Sequence, residues 1–334
     1  MAVYNGEAYL KDAVDSILEQ EYADFEFIII NDASTDSSAS ILDSIEDQRI
    51  VRLRNAENVG LTKSLNVGLR VAKGEYIARM DADDISHPDR LIQQVEFLDR
   101  HPDHVLCGSS YRLINDRGDV VKTYFKPMLD LELRWVSHLR TPLEHASVTF
   151  RRCSPAGERY FYDERYVTAQ DAEFWLRLLR DGKGCVLAPV LIDYRWHPQN
   201  VSSTRSVEQT QNLQQIALSN SAEMYALSET EIEDVRCLHK IYLSNANFHL
   251  EDFIKGKNGL EILLSNFVSE QNLDTAEARR IRSRAVGQFW NAVLAKQRRT
   301  GPAIPFRYLR YFWLGRNTLP DLARRLWHKL IPAQ

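Results

Sequence analysis

Two hydrophobic rhythms alternate along the first hundred residues. Short continuous apolar runs give way to stretches in which apolar residues return every third or fourth position. Phe25-Glu-Phe-Ile-Ile-Ile30 is a near-continuous run ending at Asn31-Asp32-Ala33-Ser34-Thr35-Asp36, the pattern of a strand covered on both faces. Met1 to Gly6 reads as the last residues of a buried strand followed directly by a turn, and several residues are expected to be missing ahead of it. Leu10, Val14, Ile17 and Leu18 then share one helical face. Ser34 or Thr35 is placed to cap a helix reaching Ile45, and Arg49 to Leu53 forms a third strand. After the turn Asn58-Val59-Gly60, Leu61, Leu65 and Ala72 line another helix. Glu75 to Arg79 is a fourth strand, and Pro88 opens a helix with Leu91, Val95 and Leu98 inward. Four strand–helix units in succession predict an α/β fold with a mostly parallel sheet flanked by helices.

Beyond Leu98 the rhythm changes. Val105 to Ile114 and Val120 to Tyr124 flank the turn signature Asn115-Asp-Arg-Gly118, which predicts a hairpin. Leu129 to Leu139 is helical, and Glu144 to Phe150 reads as a strand leading to Arg151-Arg152. Thr168-Ala-Gln170-Asp171 precedes a helix carrying Phe174, Leu178 and Leu179, and Cys185 to Trp196 returns as extended chain. From Ser206 on, the sequence is helical and polar. The expected division is therefore a domain over 1–205 and a helical C-terminal region over 206–334.

Length and charge narrow the function. At 334 residues, 44% apolar and 26% charged, the chain is globular and longer than most single domains. Its net charge of −4 gives no case for nucleic-acid binding. Cys107, Cys153, Cys185 and Cys237 are scattered without metal-site or disulfide spacing, which predicts a reducing cytoplasm. No apolar run approaches the length of a membrane span. The end of the chain is locally basic: Lys296, Arg298, Arg299, Arg307, Arg310, Arg316, Arg324, Arg325 and Lys329 face one acid, Asp321. With Phe306, Leu309 and Trp313 on one face, it is expected as an amphipathic helix resting on the inner face of the cell membrane. The competing expectation is a helix docked on the first domain.

The chemistry concentrates in Arg79-Met80-Asp81-Ala82-Asp83-Asp84. Three acids in four residues repel one another unless a positive charge sits among them, so a hard divalent cation is one reading. A solvated acidic turn capping the helix at Pro88 is the other. Position favours the cation: Tyr4, Asp32 and Asp81 to Asp84 all follow strands, and ligands of parallel α/β sheets lie outside the carboxyl ends of strands.

In this order the elements resemble family 2 glycosyltransferases with the GT-A fold, over residues 1 to about 205. The resemblance is carried by Ala2-Val3-Tyr4-Asn5, Asn31-Asp32-Ala33-Ser34-Thr35-Asp36, Asn58-Val59-Gly60 with Asn66, and Ala72-Lys73-Gly74-Glu75-Tyr76-Ile77 running into Asp81-Ala82-Asp83-Asp84. Pro88-Asp89-Arg90-Leu91, Gln170-Asp171 and Tyr194-Arg195-Trp196-His197 complete it. The family implies inverting transfer of one sugar from a nucleotide-diphosphate sugar, most often a UDP-sugar, to a hydroxyl of a glycan or lipid-linked acceptor. It places Ala2, Tyr4, Asn5, Asp32, Asn58 and Ala82 around the donor, with Tyr4 stacking on the base and Asp32 at its edge. Lys63 or Arg79 would add positive charge at the diphosphate. Asp83, Asp81 and His197 would hold Mg²⁺ or Mn²⁺, with Asp84 a plain helix-flanking acid.

The resemblance makes Asp171 the general base, a role compatible with an N-cap, and places His145 and Gln170 toward the acceptor. Cell-surface polysaccharide assembly is the expected setting. Two departures stand out: the first strand is short, and Gln170 replaces the usual acid beside the base. A Gln-x-x-Arg-Trp motif of processive synthases is absent, since Ile192 stands three residues before Arg195, so single-sugar transfer is expected. The rivals are a nucleotidyltransferase, which would carry a Gly-rich basic loop after the first strand, and a non-catalytic scaffold of the same fold. A dinucleotide-binding oxidoreductase would need a Gly-x-Gly-x-x-Gly after a strand.

Overall fold

The run ending at Ile30 forms strand β2 (Phe27–Asn31), and the first part of the chain is built around it. The structure is a computed structural model and describes residues 1–198, 200, 204–243 and 249–300. It divides into two compact units, one of residues 1–134 and 141–212, the other of residues 135–140 and the chain from Leu213 on.

In the first unit, β1 (Ala2–Val3), β2 and β3 (Ile50–Arg54) are parallel, in the order β1-β2-β3, with Ala2 opposite Ile30 and Phe27 opposite Ile50. Helix α1 (Leu10–Leu18) presents Leu10, Ala13, Val14 and Ile17 to a core shared with Val3, Phe27 and Ile29. Burying each large aliphatic side chain contributes about 1.5–3 kcal/mol. Helix α2 (Ser38–Ser44) is reached later than expected: Asp36, not Ser34 or Thr35, meets its first turn, accepting the Ser38 N–H at 2.9 Å. Ser34 and Thr35 are committed to Asn5 instead. The Asn5 N–H donates to Ser34 Oγ at 3.1 Å, and the Thr35 N–H donates to Asn5 Oδ1 at 2.8 Å. Helix α3 (Leu61–Val71) lies close on β2 because Gly68 has no side chain; a Cβ there would stand 2.9 Å from Ile30 Cδ1.

Strand β4 (Tyr76–Ala78) departs from expectation. It does not extend the parallel sheet but pairs antiparallel with β8 (Thr149–Arg151), Ile77 opposite Phe150. A three-residue strand makes few ladder bonds of its own, so its partner is chosen by long-range packing that no local pattern records. The resulting mixed sheet has the order β4-β8-β6-β9-β5, with β7 on β6. Strands β6 (His104–Ile114) and β7 (Val120–Tyr124) form the expected hairpin, its turn closed by Gly118 at φ +88°. The expected strand at Glu144 is broken: His145–Ser147 is a 3₁₀ turn and only Thr149–Arg151 is extended.

One more pairing places the site. Helix α4 (Arg90–Arg100) starts two residues after Pro88. Before it, β5 (Ile85–Ser86) pairs antiparallel with β9 (Lys183–Arg195), Ile85 opposite Asp193. The chain leaving the acidic cluster is thereby fixed to the end of β9. Helix α5 (Asp130–Ser137) carries Arg134, which donates to the carbonyls of Leu179 and Gly182 at 2.6 Å each at the end of α6 (Gln170–Asp181).

Helices α7 (Ser206–Tyr225), α8 (Glu229–Leu243), α9 (Leu250–Glu270) and α10 (Thr275–Thr300) make up the rest of the described chain. In the second unit, α8 and α9 meet backbone to backbone at Gly256 and Gly259. Trp135 meets Phe267 edge to face, and Phe253 packs against Phe289 and Trp290. No helix among the described residues is long and apolar enough to cross a membrane. The basic stretch after Thr300, expected as an amphipathic helix, lies outside the described residues.

Candidate active site

Asp81, Asp83 and Asp84 each offer a carboxylate oxygen, and these atoms lie within 4.8 Å of one another. Three such charges at that distance are costly without compensation, and the surrounding chain supplies part of it. The buried guanidinium of Arg79 pairs with Asp81. Asp83 Oδ2 lies 3.0 Å from His197 Nε2, and the Asp83 carbonyl accepts from Arg195 Nε at 2.8 Å. Arg195 in turn stacks its guanidinium 4.5 Å from the centre of the Tyr9 ring, which lies 5.2 Å from the His197 ring.

Asp84 corrects an expectation. It is not a plain acid flanking a helix but is fully buried, with Oδ1 accepting the Arg195 N–H at 2.8 Å. Its Oδ2 has no hydrogen-bond partner among the described residues. The pairing of β5 with β9 draws it inward, and burial together with the charge of Asp83 pushes its carboxyl well above the usual range. Helix α4, which the cluster caps in the competing reading, begins at Arg90 after Asp89, with no side-chain cap. The cluster fits a hard divalent cation in its donor set: three carboxylates, one with a buried oxygen lacking a partner, beside one imidazole.

Arg79 connects this cluster to a second group of acids. Burial pushes its guanidinium below the usual range, against the favourable charges of Asp84, Asp83 and Asp171. Asp171 occupies the first turn of α6, two residues after Ala169, which holds the left-handed conformation at φ +57°. Ala169 precedes the helix, so Asp171 is not the N-cap. Burial raises its pKa, while the N–H groups of Ala172 and Asp171 and the charge of Arg79 oppose the rise. Glu144 sits close enough to be repelled: burial first, then the charge of Asp171, push it up to about 7. Local pattern missed Glu144; an acid directly ahead of His145 in an apolar segment is the signal that marks it.

The two residues assigned to the acceptor sit deeper than expected. His145 is buried, with Nε2 2.8 Å from the Tyr162 hydroxyl and its ring edge to face with Trp175. Burial and the Arg79 charge keep it neutral by lowering its pKa far below the usual value. Its ring is thus committed to the core with Tyr162 and Trp175. Gln170 is buried at the start of α6.

Asp32, one of the residues expected at the donor, holds the loop after β3. Its Oδ1 accepts from the Asn55 amide at 2.7 Å and the Val59 N–H at 3.0 Å, and its Oδ2 accepts the Gly60 N–H at 2.9 Å. With three donors from its own chain, Asp32 shapes the turn that precedes α3, and Oδ2 keeps the freer lone pair. Asn58 donates to the Asp32 carbonyl at 3.4 Å. Asn5 sits just past β1 at φ +50°, next to Tyr4, whose ring is 52% exposed and open to stacking. Ala2 is part of β1, opposite Ile30, and Ala82 is half-buried within the acidic cluster. Lys63 is exposed in the first turn of α3.

Comparison with known proteins agrees with this architecture. Residues 1–160 match the family model described as glycosyl transferase family 2. An uncharacterized glycosyltransferase of Haemophilus influenzae is 29% identical over 254 residues, covering 73% of this chain and 77% of that one. One from Methanocaldococcus jannaschii is 33% identical over 202 residues, covering 58% of this chain and 69% of the relative. Among solved structures, TarS of S. aureus in complex with UDP-GlcNAc superposes with a TM-score of 0.58 at 16% identity, over 90% of each chain, and shares the GT-A fold. The chain belongs to glycosyltransferase family 2.

Proposed function

We propose that the protein transfers one sugar from a nucleotide-diphosphate sugar to an acceptor hydroxyl with inversion at the anomeric carbon. The observation that carries this reading is Arg79, a buried cation set electrostatically between the Asp81–Asp84 cluster and Asp171. It divides the site into a half suited to a metal-bound diphosphate and a half suited to proton removal.

Asp81, Asp83 and Asp84, with His197, are the residues that would hold Mg²⁺ or Mn²⁺. Such an ion, when bound, neutralises diphosphate oxygens and stabilises the charge that develops on the leaving nucleoside diphosphate. Tyr4 offers the base a ring to stack on, and the turn shaped by Asp32 borders it. As the acceptor oxygen bonds to the anomeric carbon, the bond from that carbon to the phosphate oxygen breaks, and Asp171 takes the acceptor's proton. The raised pKa of Asp171 makes it a stronger base than an exposed carboxylate. A UDP-sugar is the proposed donor, supported by the UDP-GlcNAc held by a neighbour of the same fold. A glycan or lipid-linked acceptor of surface-polysaccharide assembly, met at the inner face of the membrane through the basic C-terminal stretch, completes the proposal.

A screen of nucleotide-sugar hydrolysis across UDP, GDP and dTDP donors, with and without Mn²⁺, tests the donor and the metal together. Hydrolysis that ignores EDTA would remove the metal from the reading. Deleting the chain after Gly301 is expected to release the protein from anionic liposomes; unchanged co-sedimentation would refute the membrane contact.

A further inference from the structure

Strand β7 and the chain that leaves it expose apolar side chains as a group. Val120 and Val121 are 52% and 62% exposed, Phe125 is 65% and Leu129 is 68%. Elsewhere in the first unit, exposed apolar residues such as Val51, Val71 and Val167 stand singly, as is usual on soluble proteins. After β7 the chain alternates. Tyr124 and Lys126 are half-buried and Met128 is buried, while Phe125, Pro127 and Leu129 between them are exposed. One side of the segment therefore grips the sheet, and the other carries Phe125, Pro127 and Leu129 outward.

The grip is firm. The Lys126 N–H donates to Ser110 Oγ at 3.1 Å, and Met128 and Val186 exchange backbone bonds of 3.1 and 2.9 Å. The Tyr124 ring stacks on Tyr111, with centroids 4.8 Å apart. Lys122 Nζ lies 4.5 Å from the centre of the Tyr124 ring, and Lys126 Nζ lies 4.8 Å from it. Both ammonium groups are thus held beside the apolar group. From Val120 to Leu129 the chain has two lysines and no acid. Of the flanking acids, Asp119 accepts from the Asn115 amide at 3.1 Å, and Asp130 pairs with Arg134 at 2.9 Å. The turn beyond carries one acid and one base, Asp116 and Arg117.

We propose that residues 120–129 are a membrane contact of the first unit, in which Phe125 and Leu129 enter the headgroup region of an anionic bilayer and Lys122 and Lys126 meet its phosphates. Charge decides the occupant. Outward apolar side chains flanked by lysines and a tyrosine, with no acid among them, match a surface that is negative above and apolar below. Because the backbone is already fixed to the sheet, docking orders no loop. The contact is distinct in sequence from the basic stretch after Thr300. Lys126 is also near enough to Glu144 for its charge to oppose the upward shift of that carboxyl. The bilayer then lies toward the half of the site that holds Asp171, and a lipid-linked acceptor enters from there. That last consequence rests on the transferase reading; the contact itself does not.

Hydroxyl-radical labelling of the full chain, read by mass spectrometry, tests the contact. Phe125 and Leu129 are expected to label readily without vesicles, and about threefold less or lower with vesicles of phosphatidylglycerol. Labelling that vesicles leave unchanged overturns the proposal, even where the chain still sediments with them through another segment. Side chains already silent without vesicles overturn it too, because a second copy or another part of the chain then covers the patch. Co-sedimentation adds the energetics. Phe125→Ser with Leu129→Ser is expected to bind phosphatidylglycerol vesicles about tenfold more weakly. Lys122→Gln with Lys126→Gln is expected to lose about fivefold per lysine there, and to change little on phosphatidylcholine vesicles. Wild-type binding by the Phe125 and Leu129 pair overturns the proposal. None of these readouts needs sugar transfer, so a chain that contacts lipid but transfers nothing sinks the transferase reading alone.

Discussion

His197 Nε2 lies 3.0 Å from Asp83 Oδ2 across a sequence separation of 114 residues. The contact brings the end of β9 to the acidic cluster, where β5 pairs with β9, the Arg195 N–H donates to the Asp84 carboxylate and Arg195 Nε donates to the Asp83 carbonyl.

If these groups hold the cation together, His197→Ala and Asp83→Ala both weaken Mn²⁺-dependent binding of UDP, Asp83→Ala the more, because it removes a charge rather than a neutral donor. Titration calorimetry with UDP and Mn²⁺ reads the effect. Asp83→Ala is expected to abolish the metal-dependent part of the heat, and metal-dependent turnover with it. Wild-type binding by Asp83→Ala would remove the cluster from the cation site.

Asp171→Asn separates binding from chemistry. Donor affinity stays within about threefold of wild type, while transfer falls by about 10²–10⁴-fold, the usual contribution of a general base. Normal transfer by this variant sinks the base assignment.

The pH profile carries a second signature. A base works only when deprotonated, so transfer rises with pH through the pKa of Asp171, which burial places above the ordinary carboxylate range. Glu144 loses its proton at about 7, because burial first and then the charge of Asp171 push it up. The repulsion is mutual, so ionised Glu144 makes Asp171 more basic. The kcat/KM profile is therefore expected to show a second rise near pH 7 that Glu144→Gln removes, leaving the lower step in place. Stability has the opposite sign. A carboxyl whose folded pKa is raised from 4.5 to about 7 favours folding below pH 4.5, and that contribution is lost as pH rises through 7. Glu144→Gln thus gains thermal stability relative to wild type at pH 8 and little at pH 4.

Asp32→Ala leaves the Val59 and Gly60 N–H groups and the Asn55 amide without their acceptor. An abandoned buried donor costs about 1–3 kcal/mol, and these partly buried ones cost less because water reaches the turn. Thermal melts should show a fall of several degrees, and UDP affinity should drop with the loss of the turn. Unchanged melting would show that the three bonds carry no stability.

In the helical unit, a Cβ on Gly259 would stand 2.4 Å from the Asp234 carbonyl oxygen. That neighbour is backbone and cannot swing away, so Gly259→Ala forces α8 and α9 apart. A loss of about 1–3 kcal/mol is expected, the usual cost of overpacking, read as a lower urea midpoint of helical circular dichroism.

Much of the architecture is legible locally. The run ending at Ile30 has no polar face, which marks a covered strand, and Asn115 to Gly118 announces its own hairpin. The partner of β4 is not legible, because Tyr76–Ala78 is paired by residues more than 70 positions away. The same limit applies to the site. Asp81, Asp83 and Asp171 stand out as carboxylates following predicted strands or opening a helix. The burial of Asp84 depends on β5 meeting β9, and the shift of Glu144 depends on its distance from Asp171, neither of which has a local signature. Asp32 was visible as an acid at a strand end, but its commitment to the turn at Val59 and Gly60 is a property of the folded loop.

The long span between Asp83 and His197 also governs when the site can form. During synthesis, the acidic cluster leaves the ribosome more than a hundred residues before the histidine that meets it, and β5 has no strand to pair with until β9 has emerged. Such late, non-local closure slows folding. A nascent chain ending before residue 195 carries its three aspartates without the His197 imidazole and without the Arg195 bonds to Asp83 and Asp84. The contacts around the acidic cluster are accordingly completed late, when the last strand of the mixed sheet docks.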